Sequence, residues 1–530
     1  MCTARPVTPR AVLLGLALLP ANAWWLIQIE YVRYSDTPTI PQVFFHCVAM
    51  LLALRAANLL LERHAPRLAL SAGELITVYA MLVIGSNIAG HDQLQILFTQ
   101  IIYLRGQATP ENQWEQLIWP HVPGRLVVHG AQTLDHVLKG HASAYTAEHW
   151  HAFAPPLLAW GAVALVIAWT LYCLGALLRR QWDHERLSYP LEEVPLALAD
   201  PDLTMLRRLP FWAGFALAAG AQLLNLASSI APAVPSINLG VRDLTFTSFP
   251  WRHMGTIPIC YYPFALGLSF LLPTNLSFSC WFFFLLTRLE RVVAALFGYT
   301  DWDGFPYVNQ QASGAFVGLG LLTLWTARHH LARTLRRALG REPGYDDGEP
   351  MPYRLAWLGL LSGVAALIGF SVSAGMGWGP AIAHWVLLLS IILAVARVRA
   401  EVGLPSIELY QRGADDMLRR AAPGWLKPAD LTVLTLFFFM HRTVRNYNLQ
   451  HQLTNLRLAG RSGVDLRSFG LPIALATVVG IVVAFWAMMH VCFDAGLQGG
   501  RFTGPAGWAF GMDPWQQLAR RLSTPQPYDR

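Results

Sequence analysis

The chain is poor in charge for its length. Only 13% of its 530 residues are Asp, Glu, Lys or Arg, whereas soluble proteins carry roughly a quarter. Hydrophobic residues make up 54% of the sequence, and the mean hydropathy is +0.38. This balance excludes an ordinary soluble domain and indicates an integral membrane protein.

Cysteine is scarce, and the signatures of several enzyme classes are missing. The six Cys residues lie mostly in apolar stretches, with no Cys-x-x-Cys pair, so neither a disulfide framework nor a zinc site is indicated. The sequence also lacks His-Glu-x-x-His, a phosphate-binding Gly loop and Gly-x-Ser-x-Gly. We therefore expect no cofactor.

Excess positive charge does not indicate a nucleic-acid partner here. The net charge is +7 and the pI is near 9.2. The Lys and Arg residues fall in short clusters between apolar segments, which is the placement that the positive-inside rule describes. Membrane lipid and a small-molecule or peptide solute are the expected partners, nucleic acid is not, and a homo-oligomer is a further option.

Long apolar runs dominate the sequence. A helix needs about 20 residues to cross the hydrocarbon core of a membrane, and most of these runs approach that length. The sequence predicts an all-α, polytopic helical bundle of about twelve spans, forming a single transmembrane domain over 1–530. The predicted spans are 11–29, 42–61, 69–90, 153–178, 209–232, 257–272, 275–297, 312–327, 353–374, 379–396, the shorter run 430–440, and 469–493.

The first apolar run has two interpretations. Its basic start and the small residues Ala21 and Ala23 are typical of a signal peptide with a cleavage site. The run continues through Trp24 and Trp25, which favours a retained helix with an interfacial anchor. The distribution of Arg and Lys predicts a multi-pass protein of the cell membrane with its N-terminus in the cytoplasm. Residues 105–152 would form an exterior cap or loop, and 494–530 a tail with a short amphipathic helix.

Charge follows the tenth span directly. Arg397, Arg399 and Glu401 come after the run 379–396, and Gly403 and Pro405 follow them. A charge at membrane depth costs at least about 2.5 kcal/mol and usually has a function. Arg399 would hold an anionic group or pair with Glu401. We expect broken backbone near these residues that lines a cavity.

Charge topology supports such a break. Segments 397–428 and 441–468 are both basic, and one short run between them cannot leave both in the cytoplasm. The sequence therefore predicts either a re-entrant hairpin at the short run 430–440 or a non-helical passage near Gly403 and Pro405. Irregular backbone at membrane depth is tolerated only where protein or a watery cavity surrounds it.

Further polar residues are candidates for a substrate-binding or proton-coupling site. Gly90 could end the third span and leave His91, Asp92 and Gln93 beside a cavity, or the helix could simply end at the water interface. His91, Asp92 or Glu401 could carry a coupling proton. The remaining candidates are His384 within the tenth span, and Arg442 and Asn446, which could bind an anion or lipid headgroup or merely mark a cytoplasmic helix end.

A second turn resembles the first. Glu185 and Arg186 precede Leu-Ser-Tyr189-Pro190 after the fourth span, much as Arg399 and Glu401 precede Pro405. This spacing indicates a weak internal repeat, an architecture that many transporters use.

The Leu-Ser-Tyr189-Pro190 turn, together with the many spans, resembles a group of uncharacterised bacterial membrane proteins related to the oligopeptide transporter family. The resemblance implies a secondary transporter, coupled to protons, for a small peptide-like or anionic solute or a metal chelate. The sequence departs from the family pattern after the turn, where Leu191-Glu192-Glu193 stands in place of a Gly- and Ala-rich continuation.

Two other functions stay open. Asp301 and Asp303 could hold a divalent metal ion in a membrane enzyme that acts on a lipid-linked substrate, although a plain turn beside Gly304 explains them as well. The chain could also be a non-catalytic subunit of an envelope complex.

Overall fold

A computed structural model describes residues 5–270, 272–299, 307–404, 406, 413–421, 424–443, 445–498 and 506–524. These residues are mostly helical, as predicted, and the described part of the chain holds only a two-stranded antiparallel ribbon of sheet. In the ribbon Arg242 pairs with Ile259 and Leu244 with Ile257.

The helices of the first half of the chain include one, α7 with 38 residues, that is much longer than the roughly 20 residues a membrane crossing needs. They are α1 (Pro9–Ile27), α2 (Phe45–His64), α3 (Ala72–Ala89), α4 (Leu94–Gly106), α5 (Trp114–Leu117), α6 (Ala131–Lys139), α7 (Ala147–His184), α8 (Glu193–Ala199), α9 (Leu209–Ile230), α10 (Pro263–Phe270) and α11 (Thr274–Leu296), with the strands β1 (Arg242–Leu244) and β2 (Ile257–Ile259) before α10.

The second half of the chain contains both long and short helices. They are α12 (Val308–Thr326), α13 (Arg328–Ala338), α14 (Tyr353–Ser373), α15 (Trp378–Val402), α16 (Ala414–Ala421), α17 (Pro428–Leu436), α18 (Phe438–His441), α19 (Asn448–Arg461), α20 (Leu466–Ala495) and α21 (Asp513–Ser523).

Eight helical segments of the described residues are long and apolar enough to cross a membrane. They are Pro9–Val32, Phe45–His64, Ala72–Gly106, Ala147–His184, Leu209–Ile230, Tyr353–Ser373, Trp378–Val402 and Leu466–Ala495. Each coincides with a predicted span. The other four predicted runs contain no such helix within the described residues, because 257–272 opens with β2, 275–297 and 312–327 fall short of the required apolarity, and 430–440 is divided between α17 and α18.

Contacts between helix ends define the two ends of the bundle. At the proximal end, where α1 begins, the backbone N–H of Arg5 donates to the carbonyl of Gly463 just after α19, over 2.9 Å. At the distal end, the N–H of His141 before α7 donates to Asp494 at the end of α20, over 3.0 Å. Helix α20 therefore runs from the proximal to the distal end, and α7 runs back. Glu74 in the first turn of α3 pairs with Arg10 in the first turn of α1, so α3 also starts at the proximal end.

The core of the bundle is built on α3, which is buried along almost its whole length between α1 and α20. Small residues allow the close approach. A Cβ atom on Gly480 of α20 would lie 3.2 Å from the Cα atom of Gly85 in α3. Since Gly480 is at the middle of the 30-residue α20, Gly85 marks the middle of the bundle.

Helices α17, α18 and α19 form one broken passage from the distal to the proximal end. The carboxylate of Asp430 in α17 accepts the N–H of Gly377, just before α15, over 2.7 Å. Helix α19 ends beside Arg5 at the proximal end. Arg397, near the end of α15, and Arg461, at the end of α19, both lie at the proximal end, whereas Lys427 lies at the distal end, just before α17. The basic segment 397–428 therefore has residues at both ends of the bundle.

The predicted break near Gly403 is displaced. Helix α15 continues to Val402, so Arg397, Arg399 and Glu401 lie on its last turns rather than on broken backbone. Gly403 ends the helix with a left-handed φ of 61°. Pro405 lies outside the described residues. The interruption occurs instead between α18 and α19.

The cap and the tail pack against the distal end. Helices α5 and α6 lie in the segment between α4 and α7. In the tail, the predicted amphipathic helix is α21, and its Trp515 is buried and donates from Nε1 to the carbonyl of Gln100 over 3.0 Å. The apolar face of this helix is covered by protein.

Helices α7 and α14 offer a direct test of the packing. Gly359 and Gly363 of α14 have the Gly-x-x-x-Gly spacing that lets membrane helices approach closely. A Cβ atom on Gly363 would collide with Thr170 Oγ1, whereas one on Gly369 meets nothing within 4 Å. We expect Gly363→Leu to destabilise the protein by about 1–3 kcal/mol through overpacking. The melting temperature in detergent should drop clearly, and Gly369→Leu should leave it nearly unchanged; equal melting of both variants would contradict this packing.

Candidate functional site

Two interruptions of helical backbone face each other in the bundle. The first separates α3 from α4 at residues 90–93. A Cβ atom on Gly90 would lie 2.7 Å from Thr39 Oγ1, so a glycine is needed where the loop before α2 packs against this break. The N–H of His91 donates to Thr39 Oγ1 over 3.2 Å. His91 and Asp92 are both buried, so α3 does not simply end at a water interface.

The second interruption separates α18 from α19. Its backbone carbonyls are satisfied by side chains instead of by a helix ladder. Tyr447 donates its hydroxyl to the carbonyl of Met440 over 2.6 Å, and Gln93 donates to the carbonyl of Asn446 over 2.7 Å. The carbonyl of Arg445 accepts from the side-chain amides of Gln42 and Gln450. Buried irregular backbone is tolerated at membrane depth when protein supplies such partners.

Both interruptions lie close to the middle of the bundle. The side chains of Asn87 in α3 and Asn448 at the start of α19 form a hydrogen bond. Asn87 is two residues beyond Gly85, the middle of the bundle. Asp92 is seven residues beyond it, and the first four of these steps lie within α3, where each residue rises about 1.5 Å.

Asp92 is the charged centre of the site. Its carboxylate is 1% exposed and pairs with Arg445, which is also almost completely buried, and with Arg442 Nη1 at 3.4 Å. A single carboxylate therefore faces two guanidinium groups in a part of the bundle that is shielded from water. The sequence placed Asp92 and Arg442 in separate candidate clusters, and the structure brings them together.

A hydrogen-bonded frame surrounds this ion cluster. The side chain of Asn446 donates to the carbonyl of Thr39 over 2.6 Å. The hydroxyl and the N–H of Thr39 both donate to the buried carboxylate of Glu30, over 2.6 and 2.7 Å. Gln95 donates to the second oxygen of Glu30 over 3.1 Å. A second buried carboxylate therefore lies one residue, Thr39, away from the break.

Arg399 extends the polar network toward the proximal end. It is 6% exposed, donates to Gln42 Oε1 over 2.9 Å, and lies 3.3 Å from His451 Nε2. Gln42 also donates to the backbone at Arg445, so it links the two arginines. A cavity of about 10 Å³, the size that holds one water molecule, lies beside Arg399.

Arg397 and Glu401 do not join this site. Arg397 pairs with Glu185 and, over 3.1 Å, with Glu401, whose side chain is 56% exposed. Glu401 therefore pairs with Arg397 rather than with Arg399. An exposed ion pair one helical turn apart contributes little to stability, and these residues form a surface cluster at the proximal end.

The two turns that resemble each other in sequence contact one another. The N–H of Tyr189 donates to the carbonyl of Ala400 over 2.8 Å. Pro190 packs against Gly403, where a Cβ atom would collide with the proline ring. Arg186 and Tyr189 have positive φ values of 55° and 44°. The turns fasten the ends of α7 and α15 together.

Just beyond this contact lies Glu192, which is fully buried. Its carboxylate is 3.3 Å from Arg457 Nε and 3.7 Å from Arg461 Nη1. Burial raises the pKa of Glu192 to about 8, with the repulsion of Glu193 and Asp183 adding to the effect of burial and the two arginines opposing it.

At the distal end, His384 stacks with the aromatic ring of Phe437 and lies edge-on to His441, with ring centroids 4.9 Å apart. Neither nitrogen of His384 has a hydrogen-bond partner among the described residues. His441 also lines a cavity of about 240 Å³ between α16, α17, α18 and α21.

Metal binding gains no support in the described part of the chain. No group of three or more His, Cys, Asp or Glu side chains there could hold a metal ion. Asp301 and Asp303 lie outside the described residues.

The sequence predicted the residues at the centre of the site better than the residues that bind to them. His91, Asp92, Gln93, Arg399, Arg442 and Asn446 all belong to one network. Glu30 directly follows the first predicted span, and nothing in the sequence distinguishes it from a residue at the water-exposed end of a helix. In the structure, α1 continues as one turn of π-helix over Gln28–Val32. This extra turn buries Glu30 in the bundle.

The ion cluster predicts a large cost for neutralising Asp92. We expect Asp92→Asn to lower the free energy of unfolding by about 3–5 kcal/mol, because it leaves buried guanidinium groups without their carboxylate. Denaturant titration in detergent measures this change. The matched control is Asp135→Asn, which removes an exposed carboxylate paired only with Lys139 on α6 and should cost less than about 1 kcal/mol. Similar losses in both variants would show that the Asp92 cluster is not a buried ion pair.

Glu192 predicts a pH dependence of stability. Between its ordinary pKa of 4.5 and its folded pKa of about 8, the folded state holds a proton that the unfolded state has released. Stability should therefore fall as the pH rises through this window. In Glu192→Gln the fall in melting temperature with rising pH should be smaller. The matched control is Glu193→Gln, which alters an exposed neighbour and should keep the fall in melting temperature. Equal pH profiles for wild type and Glu192→Gln would contradict the raised pKa.

Comparison with known proteins gives a family without a function. One family model matches residues 1–530, and it is described as a family of unknown function, DUF6785. No curated protein matches the chain. The comparison shows no link to the oligopeptide transporter family. Because the match covers the whole sequence, the chain belongs to the DUF6785 family.

Proposed function

We propose that the chain is a proton-coupled secondary transporter that moves a small anionic or peptide-like solute along the broken passage of α17, α18 and α19. The observation that carries the proposal is the mid-bundle ion cluster of Asp92, Arg442 and Arg445 between two helix breaks. Transporters typically form their substrate and ion sites from discontinuous helices near the bilayer midplane.

A series of polar contacts along the bundle supports a route for the solute. It starts at the distal cavity beside His441, continues to Asp92 through Arg442, and reaches Arg399 through Gln42. Arg399 lies near Leu191 and Pro195, which flank the buried Glu192 at the proximal end. Buried charges cost free energy in a membrane bundle and usually mark a substrate or ion pathway.

The chemistry of the cluster suggests how proton and solute could be coupled. Ionised Asp92 attracts Arg442 and Arg445, whereas protonated Asp92 has no charge to hold them. Protonation would therefore weaken this ion pairing and favour binding of a carboxylate of the solute to the guanidinium groups, since Arg matches carboxylates bidentately. Deprotonation of Asp92 would restore the pair and displace the solute.

We place the proximal end in the cytoplasm of a cell-membrane protein. The arginines of α13 and those at the ends of α7 and α19 gather at that end, which agrees with the positive-inside rule. Lipid would cover apolar helices such as α9, none of whose residues is buried by protein. A second copy of the chain is an alternative occupant of that surface.

Reconstitution tests the proposal. Proteoliposomes with purified protein would be offered radiolabelled dipeptides, tripeptides and small carboxylates under an inward proton gradient. We expect saturable uptake of at least one solute that stops when a protonophore collapses the gradient. Asp92→Asn should slow this uptake at least about tenfold, while Asp135→Asn should transport normally. Absence of gradient-dependent uptake for every solute offered would refute the assignment.

Folding must be separated from transport in this experiment. Asp92→Glu keeps the carboxylate and should retain part of the uptake, even if the longer side chain lowers stability. Size-exclusion profiles and the amount of inserted protein would be matched for all variants. If Asp92→Asn folds, inserts and transports as well as the wild type, Asp92 has no part in coupling.

A further inference from the structure

The distal cavity has a charge composition that the mid-bundle cluster does not explain. Its volume is about 240 Å³, and its walls come from α16, α17, α18 and α21. Two carboxylates and three guanidinium groups line it: Asp415, Asp416, Arg419, Arg420 and Arg521.

Four of these five charges pair along α16. Arg419 Nη2 lies 3.4 Å from Asp415, and Arg420 Nε lies 2.9 Å from Asp416, each one helical turn apart. Arg521 comes from the opposite wall, on α21, and its side chain makes no ion pair or hydrogen bond with any other residue that the structure describes. The lining therefore carries one positive charge that its own carboxylates leave uncompensated.

A second polar group in the wall has no partner. His441 is 1% exposed, and neither ring nitrogen makes a hydrogen bond within the described chain. Its closest acidic atom is Asp415 Oδ1, 3.7 Å from Nδ1, which is beyond hydrogen-bonding distance. A buried imidazole without a partner at a cavity wall is a site where a ligand oxygen can accept a hydrogen bond.

The rest of the wall limits the ligand. Phe438 and Pro514 supply apolar surface, and Thr435 and Gln517 supply neutral polar atoms. The volume is below the roughly 300–1,000 Å³ of pockets for drug-sized ligands. The ligand must be small, singly negative, and partly apolar.

We propose that the distal cavity binds a small monocarboxylate with a short apolar body, its carboxylate on Arg521 and His441 and its body against Phe438. A fork of guanidinium N–H groups matches the planar carboxylate. A dianion such as phosphate exceeds the single uncompensated charge. A zwitterion would bring an ammonium group that competes with Arg419 and Arg420 for their carboxylates. The role of this cavity as the entry site for the solute rests on the proposed transport function.

Binding is measurable without a membrane gradient, so its outcome is independent of transport. Isothermal titration calorimetry of the full chain in detergent would use butyrate as the probe. We expect saturable binding to the wild type, weakened at least about tenfold in Arg521→Gln because the charged hydrogen bonds are lost. Arg521→Lys, which keeps the charge without the fork, should fall between them. The matched control is Arg520→Gln on the same helix, an exposed arginine that does not line the cavity and should bind butyrate within about twofold of wild type.

Several results would overturn the monocarboxylate site. They are absence of saturable butyrate binding in the wild type, equal affinity of wild type and Arg521→Gln, and tighter binding of inorganic phosphate or of dialanine than of butyrate. Melting temperatures of the variants would establish that each is folded. Butyrate binding without any uptake in proteoliposomes would retain this site and reject the transport function alone.

Discussion

The cost of keeping charge away from water controls this architecture. Asp92 lies beside Arg442 and Arg445, and these opposite charges offset the cost of burying one another. The partners come from segments about 350 residues apart, so the ion cluster ties the third predicted span to the broken passage. Removing Asp92 takes this compensation from both arginines, which makes the cluster a point where a substitution strongly affects stability.

The helix breaks are subject to a related constraint, because buried polar backbone groups need hydrogen-bond partners. Where α18 ends, carbonyl oxygens lose their helical donors, and side-chain amides of Gln42, Gln93 and Gln450 replace them. Each amide comes from a different element: the loop before α2, the first break and α19. The irregular backbone therefore exists because distant parts of the chain meet there, and it could not be maintained by local sequence alone.

Sequence reasoning predicted the helical membrane fold, and it gave a buried break at Gly90 as one of two alternatives, because apolar length and glycine are local signals. It also selected six residues of the network by their chemistry. It misplaced the break near Gly403, since a cluster of charge after an apolar run does not reveal that α15 continues for two more turns. It could not identify Glu30 or Gln42 as partners, because their roles arise from tertiary contacts with residues such as Thr39 and Arg399.

The close approach of α7 and α14 has a mechanical consequence. Gly359 and Gly363 leave no gap in which either helix could rotate against Cys173 and Thr170. The pair therefore acts as a stiff strut through the membrane. Under the proposed transport function, the motion that opens first one end of the bundle and then the other would occur in α17, α18 and α19, where the helical backbone is interrupted, while α7 and α14 stay packed together.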